Sequence, residues 1–182
     1  MADSYVIKDQ YASYFLTFQI VGWVDLFTRK RYRDIIVNSF NFCVAQKQLK
    51  VHSWVIMSNH VHCIVSSTNG KLSDTIRDFK SFTARQLLQS VSDEPESRRE
   101  WILFQFKKAA QEHVRNKEYQ VWTHENHAIE IDPYSSNMAD SKLIYIHRNP
   151  VEAGIVENES DYLYSSARDY AGRKGLIKLE MW

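Results

Sequence analysis

Two histidines flank a single valine in the β-rich run Ser58-Asn59-His60-Val61-His62-Cys63-Ile64-Val65. Successive side chains of a strand point to opposite faces, so His60 and His62 share one face while the intervening apolar residues share the other. Each imidazole carries polar nitrogens that need partners when buried, and a shared metal ion would supply one. So short a motif also allows two half-exposed or internally hydrogen-bonded histidines without a metal.

Length and composition predict one globular domain, residues 1–182, because 182 residues with 44% hydrophobic side chains can enclose a sizeable core. Lys+Arg of 23 against Asp+Glu of 22 gives a net charge of +1, which excludes a globally basic nucleic-acid binder. Any nucleic-acid surface must therefore be local.

The chain shows no signal of secretion or membrane insertion. Its N-terminus lacks a basic region followed by an apolar stretch, and no apolar run approaches the roughly 20 residues that span a bilayer. Cys43 and Cys63 lie in apolar patterns without a CxxC pair, which is typical of buried thiols in a reducing compartment. These features predict a cytoplasmic protein that does not interact with membranes.

The histidine run is predicted to lie near the centre of an antiparallel sheet. Residues 12–24 alternate like a first strand, and a helix follows from Thr28 to about Gln48. Residues 49–57 form a second strand that only Ser58 and Asn59 separate from the histidines. A two-residue connection has the length of a tight hairpin, so these two strands should be antiparallel neighbours.

Two basic helix faces are candidate phosphate contacts. One is the first turn of the helix after Thr28. Cations there interact unfavourably with the helix dipole, which indicates that they bind a partner. The other lies on a helix near 74–89, opposite its apolar stripe Leu72, Ile76, Phe79, Thr83 and Leu87. Solvated helix faces are the alternative interpretation. The candidate residues are Arg29, Arg31 and Arg33 in the first group, and Arg77, Lys80 and Arg85 in the second.

Beyond a charged loop at 92–97, the pattern predicts a helix over Arg98–Lys117 and strands at Tyr119–Thr123 and Ala128–Ile131. A small polar cluster lies between these two strands. It could hold a second metal ion, but its loop position favours a structural or substrate-contacting role. The cluster consists of His124, Glu125 and His127.

A later helix presents a tyrosine on its polar side. Asp140-Ser141 offers an N-cap for residues 142–149, and Pro150 is expected to end the helix. At 100° per residue, Tyr145 and Asn149 fall one turn apart, opposite a broad side formed by Leu143, Ile144, Ile146 and His147. This tyrosine is either displayed for chemistry or hydrogen-bonded at an interface.

Three segments together carry a family resemblance. They are Met57-Ser58-Asn59 with the two histidines, the stretch YIHRNPVEAGIV at 145–156, and the ending YLYSSARDYAG at 162–172. In this order they resemble the single-tyrosine HUH transposases, the IS200-like type, and in particular the REP-associated branch. The resemblance spans most of the chain.

The resemblance implies an α+β fold of the HUH endonuclease type, a ferredoxin-like antiparallel sheet with helices packed on one face. It implies a nucleophile helix near 140–149 and a C-terminal extension from about 155. It further implies that Tyr145 attacks DNA and that His60 and His62 bind a divalent metal, Mg²⁺ or Mn²⁺. Asn149 stands at the position of the third ligand.

The expected partner is single-stranded or hairpin DNA, cleaved and rejoined through a 5′-phosphotyrosine intermediate. The resemblance also allows a homodimer in which Tyr145 acts within its own subunit or across the interface. Three alternatives remain open: a non-catalytic hairpin-binding protein derived from a transposase, a metal-dependent phosphodiesterase that activates water, and a purely structural role for the histidines. Tyr162, Tyr164 and Tyr170 are rival nucleophiles.

Overall fold

A four-stranded antiparallel sheet, in the order β2-β3-β1-β4, forms the centre of the protein. The computed structural model describes residues 6–112, 118–132 and 136–181. The strands are β1 (Ser13–Gln19), β2 (Leu49–Ile56), β3 (His60–Ser67) and β4 (Ile129–Ile131). The helices are α1 (Lys30–Gln46), α2 (Leu72–Asp93), α3 (Arg99–Gln111), α4 (Ser136–Glu152) and α5 (Ala167–Tyr170).

The predicted hairpin is confirmed, and it places the histidine strand inside the sheet. β2 and β3 pair in antiparallel fashion, and β1 pairs with the other side of β3. His62 lies opposite Thr17 of β1 and Val55 of β2, while His60 lies opposite Gln19. The α+β class and the strand order are those of the expected ferredoxin-like sheet.

The main core lies on the sheet face opposite the histidines. Phe18 of β1 and Val61 of β3 share this face, and Phe18 contacts Phe79 of α2 at 5.6 Å between ring centroids. Phe79 in turn contacts Phe40 of α1 at 4.5 Å. All five residues of the predicted apolar stripe of α2 are buried, which confirms that stripe.

The two faces of the sheet carry different helices. The resemblance implied that the helices pack on one face of the sheet. This holds for α1 and α2, but α4 packs on the other face, against β2 and β3. Its contact side consists of the buried Ile146 and His147, while Ile144, expected on the same side, is 55% exposed. A helix on the histidine face is what brings Tyr145 to the site.

The predicted limits of the tyrosine helix are wrong at both ends. α4 begins at Ser136, upstream of Asp140-Ser141, and continues through Pro150 to Glu152. Asp140 and Ser141 are exposed, so they remain on the helix surface without capping it. Pro150 is buried near the end of the helix, where its ring removes only one backbone donor, and Ile155 N–H donates to its carbonyl oxygen.

Residues 119–123 do not form the predicted strand. They make a single bridge between Trp122 and Ile20, because β1 ends there in a 3₁₀ turn, Val21–Trp23. The strand predicted at Ala128–Ile131 is confirmed as β4, and the helix predicted from Arg98 is α3. Residues 113–117 of that prediction lie outside the described residues.

The C-terminal segment covers the open edge of β2. Ser165 bridges to Val55, and Glu180 N–H donates to the Val51 carbonyl oxygen at 2.9 Å. Covering an edge strand in this way satisfies its backbone groups and prevents pairing with another chain. Two short 3₁₀ turns, Leu26–Thr28 and Glu159–Asp161, complete the described elements. Among the described helices, none has the length and apolar composition needed to cross a membrane.

Candidate active site

His60 and His62 lie side by side on the sheet face that α4 covers, with 4.6 Å between their ring centroids. Each ring holds a partner at Nδ1. Thr17 Oγ1 is 2.9 Å from His62 Nδ1, and Asn59 Oδ1 is 2.6 Å from His60 Nδ1. Because the amide oxygen of Asn59 can only accept, His60 Nδ1 carries the proton, which leaves Nε2 as the nitrogen with a lone pair.

Both histidines are held in the neutral form. Burial, together with the charges of His60 and Lys142, lowers the pKa of His62 to about 3. Burial also lowers the pKa of His60 below its usual range. A neutral imidazole is the form that binds a metal ion or accepts a proton, so the pair is ready for either role at neutral pH.

Tyr145 of α4 reaches this pair from above the sheet. Its hydroxyl lies 3.4 Å from His62 Nε2, at the long end of hydrogen-bond distance, and its side chain is 45% exposed. Phe15 of β1 stacks on His62 at 5.3 Å and meets the Tyr145 ring edge-on at 6.0 Å. The tyrosine is therefore positioned by aromatic contacts on one side and open to a substrate on the other.

A lysine one turn before the tyrosine adds positive charge. Lys142 Nζ lies 4.8 Å from the centroid of the Phe15 ring and 6.0 Å from that of Tyr145. Sequence reasoning did not single out Lys142 or Thr17. The alternation of β1 placed Thr17 on one strand face, but its pairing with His62 depends on a register between distant segments.

A buried hydrogen-bonded cluster fixes the orientation of α4. His147 Nε2 lies 2.9 Å from Ser166 Oγ, which is itself 3.1 Å from Ser53 Oγ of β2. Burial lowers the pKa of His147 to about 4, so this ring is neutral as well. Because His147 is two residues from Tyr145, the cluster ties the exposed tyrosine to the sheet and to the C-terminal segment.

Asn149 lies one turn after Tyr145, and its Nδ2 donates to the Tyr145 carbonyl oxygen at 3.3 Å. Its Oδ1 is the atom that could serve a metal. Within the described residues, no group of three His, Cys, Asp or Glu side chains could hold a metal ion. Two neutral imidazoles, each with its Nδ1 partnered, fit a divalent cation through Nε2, and a carboxamide oxygen also suits a hard cation. A metal on His62 Nε2 would replace the contact with the Tyr145 hydroxyl.

The basic first turn of α1 has a partner inside the protein. The Glu96 side chain is fully buried and accepts from Arg29 Nη2 at 3.2 Å, Arg31 Nη2 at 3.3 Å and the Tyr32 hydroxyl at 3.1 Å. Arg33 lies over the Tyr164 ring at 4.2 Å. These internal contacts account for cations at a helix N-terminus, and their role in DNA binding stays a prediction.

The predicted cations of α2 lie on the helical layer opposite the histidines. Arg77 pairs with Asp74 at 2.7 Å, and Arg85 is exposed beside the groove between α1 and α2. Lys80 Nζ donates to the Thr123 carbonyl oxygen at 2.8 Å and to Asn126 Oδ1 at 2.6 Å. The structure thus does not bring these three together with Tyr145, and phosphate contact by them stays a prediction.

The second cluster and the rival tyrosines have other contacts. His127 Nε2 lies 3.7 Å from Glu125 Oε2, and the described residues, His124 included, hold no three-ligand group there. The rival hydroxyls are bonded elsewhere: Tyr162 donates to the Ile56 carbonyl oxygen, Tyr164 to Asp34 and Tyr170 to the His52 carbonyl oxygen. Tyr145 is the tyrosine of this set that faces the histidines.

Comparison with known proteins identifies the fold and the family of this chain. A solved REP-associated tyrosine transposase bound to a REP hairpin is 18% identical, with a TM-score of 0.61 over 99% of this chain and 92% of that chain. The likeness shows a common fold. Among curated proteins, no sequence matches this chain. The family model described as "Transposase IS200 like" matches residues 23–137, which include both histidines. The chain therefore belongs to the family of IS200-like transposases.

Proposed function

We propose that this protein cleaves and rejoins single-stranded or hairpin DNA with Tyr145 as the nucleophile. The observation that carries the proposal is the approach of the Tyr145 hydroxyl to His62 Nε2, at 3.4 Å, on a half-exposed side chain. A tyrosine that only stabilised the fold would bury its ring and bond its hydroxyl internally, as Tyr162 and Tyr164 do.

The chemistry balances without an external energy source. Tyr145 Oη attacks the scissile phosphorus, the bond from phosphorus to the 3′ oxygen breaks, and a 5′-phosphotyrosine remains on the protein. The phenol loses one proton and the departing 3′ oxygen gains one. Attack by a 3′-hydroxyl on the phosphotyrosine reverses the exchange, so every cleavage can be followed by joining.

We further propose that His60, His62 and Asn149 hold a divalent cation, Mg²⁺ or Mn²⁺. When bound, this ion supplies positive charge to a non-bridging phosphate oxygen. Imidazole ligands favour Mn²⁺ over Mg²⁺, which prefers an all-oxygen site. Thr17 and Asn59 contribute by fixing the two rings through Nδ1.

Lys142 is the DNA contact that we propose at the cleaved phosphate, and the exposed arginines of α2 are proposed contacts for DNA beyond it. The Lys142 ammonium lies beside the Tyr145 ring, where it can attract the scissile phosphate. Arg77 and Arg85 are available to a longer strand, whereas the internal contacts of Lys80 favour a structural role. The hairpin bound by the structural neighbour supports a hairpin substrate. A cytoplasmic location and a homodimer remain parts of the proposal.

A covalent-adduct assay tests the proposal. Hairpin DNA with an unpaired extension is labelled at its 3′ end, because the 5′-phosphotyrosine keeps the fragment downstream of the cleaved bond. It is incubated with protein and Mn²⁺ and then run on a denaturing gel. We expect a protein-DNA band that is lost in Tyr145→Phe and His62→Ala. The band should persist in Tyr11→Phe, which changes a tyrosine that is 67% exposed elsewhere on the surface.

The other outcomes of that assay separate the alternative functions. Cleavage that persists in Tyr145→Phe without an adduct would assign the site to a phosphodiesterase that activates water. Hairpin binding without cleavage by the natural protein would assign a non-catalytic hairpin-binding function. A melting temperature for each variant shows that it is folded.

A further inference from the structure

Three large aromatic side chains are exposed near the end of β1 and along α3. Trp23 is 71% exposed, Phe104 is 61% exposed and Trp101 is 45% exposed. Trp101 and Phe104 are three residues apart and therefore lie on one face of α3, with Lys108 one turn further along that face. We refer to Trp23, Trp101 and Phe104 as the aromatic patch.

Contacts between the 3₁₀ turn and α3 bring the three residues to one region. The turn Val21–Trp23 packs against α3. A Cβ added to Gly22 would lie only 3.1 Å from Gln105 Oε1, so the turn and this helix approach closely. Gln105 follows Phe104 directly and lies one turn beyond Trp101. Trp23, the residue after Gly22, therefore lies in the turn that packs against α3, the helix that carries Trp101 and Phe104.

The backbone of the turn is strained in order to place Trp23. Gly22 has a φ of 62°, and Trp23 itself has a φ of 56°. A left-handed conformation is a true outlier for a bulky residue and costs about 1 to 3 kcal/mol. Such strain persists only where the surrounding structure enforces it, and it clusters at functional sites. The strained backbone of Trp23 holds its indole ring in solvent, so burial of the ring does not offset the cost of the strain.

One residue links Trp23 to the candidate active site. Asn59 Nδ2 donates to the Trp23 carbonyl oxygen at 3.5 Å, while Asn59 Oδ1 accepts from His60 Nδ1 at 2.6 Å. The strained turn is thus attached to the side chain that orients a candidate metal ligand. Two consecutive hydrogen bonds through Asn59 therefore join the turn that carries Trp23 to His60.

We propose that the aromatic patch stacks unpaired nucleotides next to the cleaved phosphate, an inference that rests on the proposed function. Every base has a π-face, so rings in solvent bind single strands without needing a particular sequence. The exposed Lys107 and Lys108 adjoin Phe104 and supply charge complementary to the backbone of such a strand. This combination of aromatic rings and cations favours a nucleic acid over a protein surface.

The test compares two DNA probes in the Tyr145→Phe background, in which no adduct forms. One is a hairpin with an unpaired extension and the other is the same hairpin with a blunt end. We expect Trp23→Gly and Phe104→Ala each to weaken binding of the extended hairpin about fivefold or more, the loss of one stacked base. Binding of the blunt hairpin should not change. The salt dependence should also be unchanged, since stacking releases no counterions.

Controls guard against unfolding and against non-specific effects. Trp23→Gly relieves the left-handed strain, so the variant should melt at or above the temperature of its parent. Trp23→Phe keeps a ring and should retain most of the affinity. Phe42→Ala removes an aromatic side chain that is 57% exposed on α1, in the layer opposite the histidines, and should have no effect.

Three results would overturn the inference. One is equal binding of the two probes by the parent protein. Another is that the patch variants behave like Phe42→Ala. A third is a change in oligomeric state with unchanged DNA affinity, which would assign the patch to a protein partner. Failure of the proposed function is a separate observation, since it would be the absence of an adduct from the natural protein.

Discussion

Replacing Thr17 by valine should slow adduct formation while leaving the fold intact. Thr17 Oγ1 is the partner of His62 Nδ1 at 2.9 Å, and the His62 side chain is only 6% exposed. Valine has nearly the same shape but has no hydroxyl, so the buried Nδ1 of His62 would be left without its hydrogen-bond partner. Such a group costs about 1 to 3 kcal/mol, and the ring would rotate or change tautomer to avoid the cost.

That free energy corresponds to a factor of about 5 to 150 in rate or affinity. Losing an outer partner of a metal-binding histidine typically costs about 10- to 100-fold, so we expect a loss in that range. The assay is the rate of adduct formation at several Mn²⁺ concentrations, with Mn²⁺ binding measured by calorimetry. Thr17→Ser keeps the hydroxyl and should stay near the natural rate. This role for Thr17 is excluded if Thr17→Val forms adduct at the natural rate, or if Thr17→Ser loses as much rate as Thr17→Val.

Three further predictions follow from contacts around the site and in the core. Lys142→Gln should slow adduct formation about 10-fold or more, because a cation beside Tyr145 stabilises the phosphate. Lys142→Arg keeps the charge and should be much less affected. Equal rates for Lys142→Gln and the natural protein would exclude this role. Burial raises the pKa of Glu96, but hydrogen bonds from Arg98 N–H, Arg29 and Tyr32 outweigh it and hold the pKa at about 2. The ionised Glu96 should stabilise the fold fully above about pH 4.5, and this contribution should be lost as the pH falls towards 2. The free energy of unfolding, measured with urea, should therefore fall less over that pH range in Glu96→Gln than in the natural protein. Lys80→Met should lower the free energy of unfolding by about 1 kcal/mol, since two partly buried acceptors lose their donor. An unchanged stability with weaker, less salt-dependent DNA binding would instead make Lys80 a phosphate contact.

Local patterns were enough to predict the frame of the site. The alternation around His60 and His62 and the short connection before them predicted one polar strand face within a hairpin, and the sheet has both. The apolar stripe of α2 was equally predictable, because helical periodicity is a property of one segment. The same holds for Tyr145, which was expected on the outer side of its helix and is half exposed there.

Contacts between distant segments could not be predicted in this way. Thr17 meets His62 through a strand register that no local pattern specifies, and Lys142 reaches Phe15 only because α4 crosses the sheet. The basic turn of α1 indicated a partner, but a buried Glu96 more than sixty residues away was not foreseen. The ends of α4 were misjudged because an exposed Asp140 and a buried Pro150 are both tolerated once tertiary packing holds the helix.

Mass spectrometry of the trapped adduct tests the role of Tyr145 most directly. Trypsin cuts after Lys142 and Arg148, so Tyr145 is the single tyrosine of the peptide 143–148, while Tyr162 and Tyr164 fall in the peptide 149–168. After nuclease digestion of the bound DNA, we expect a nucleotide mass on the 143–148 peptide. A nucleotide on another peptide, or cleaved DNA with every tyrosine peptide unmodified, would contradict it.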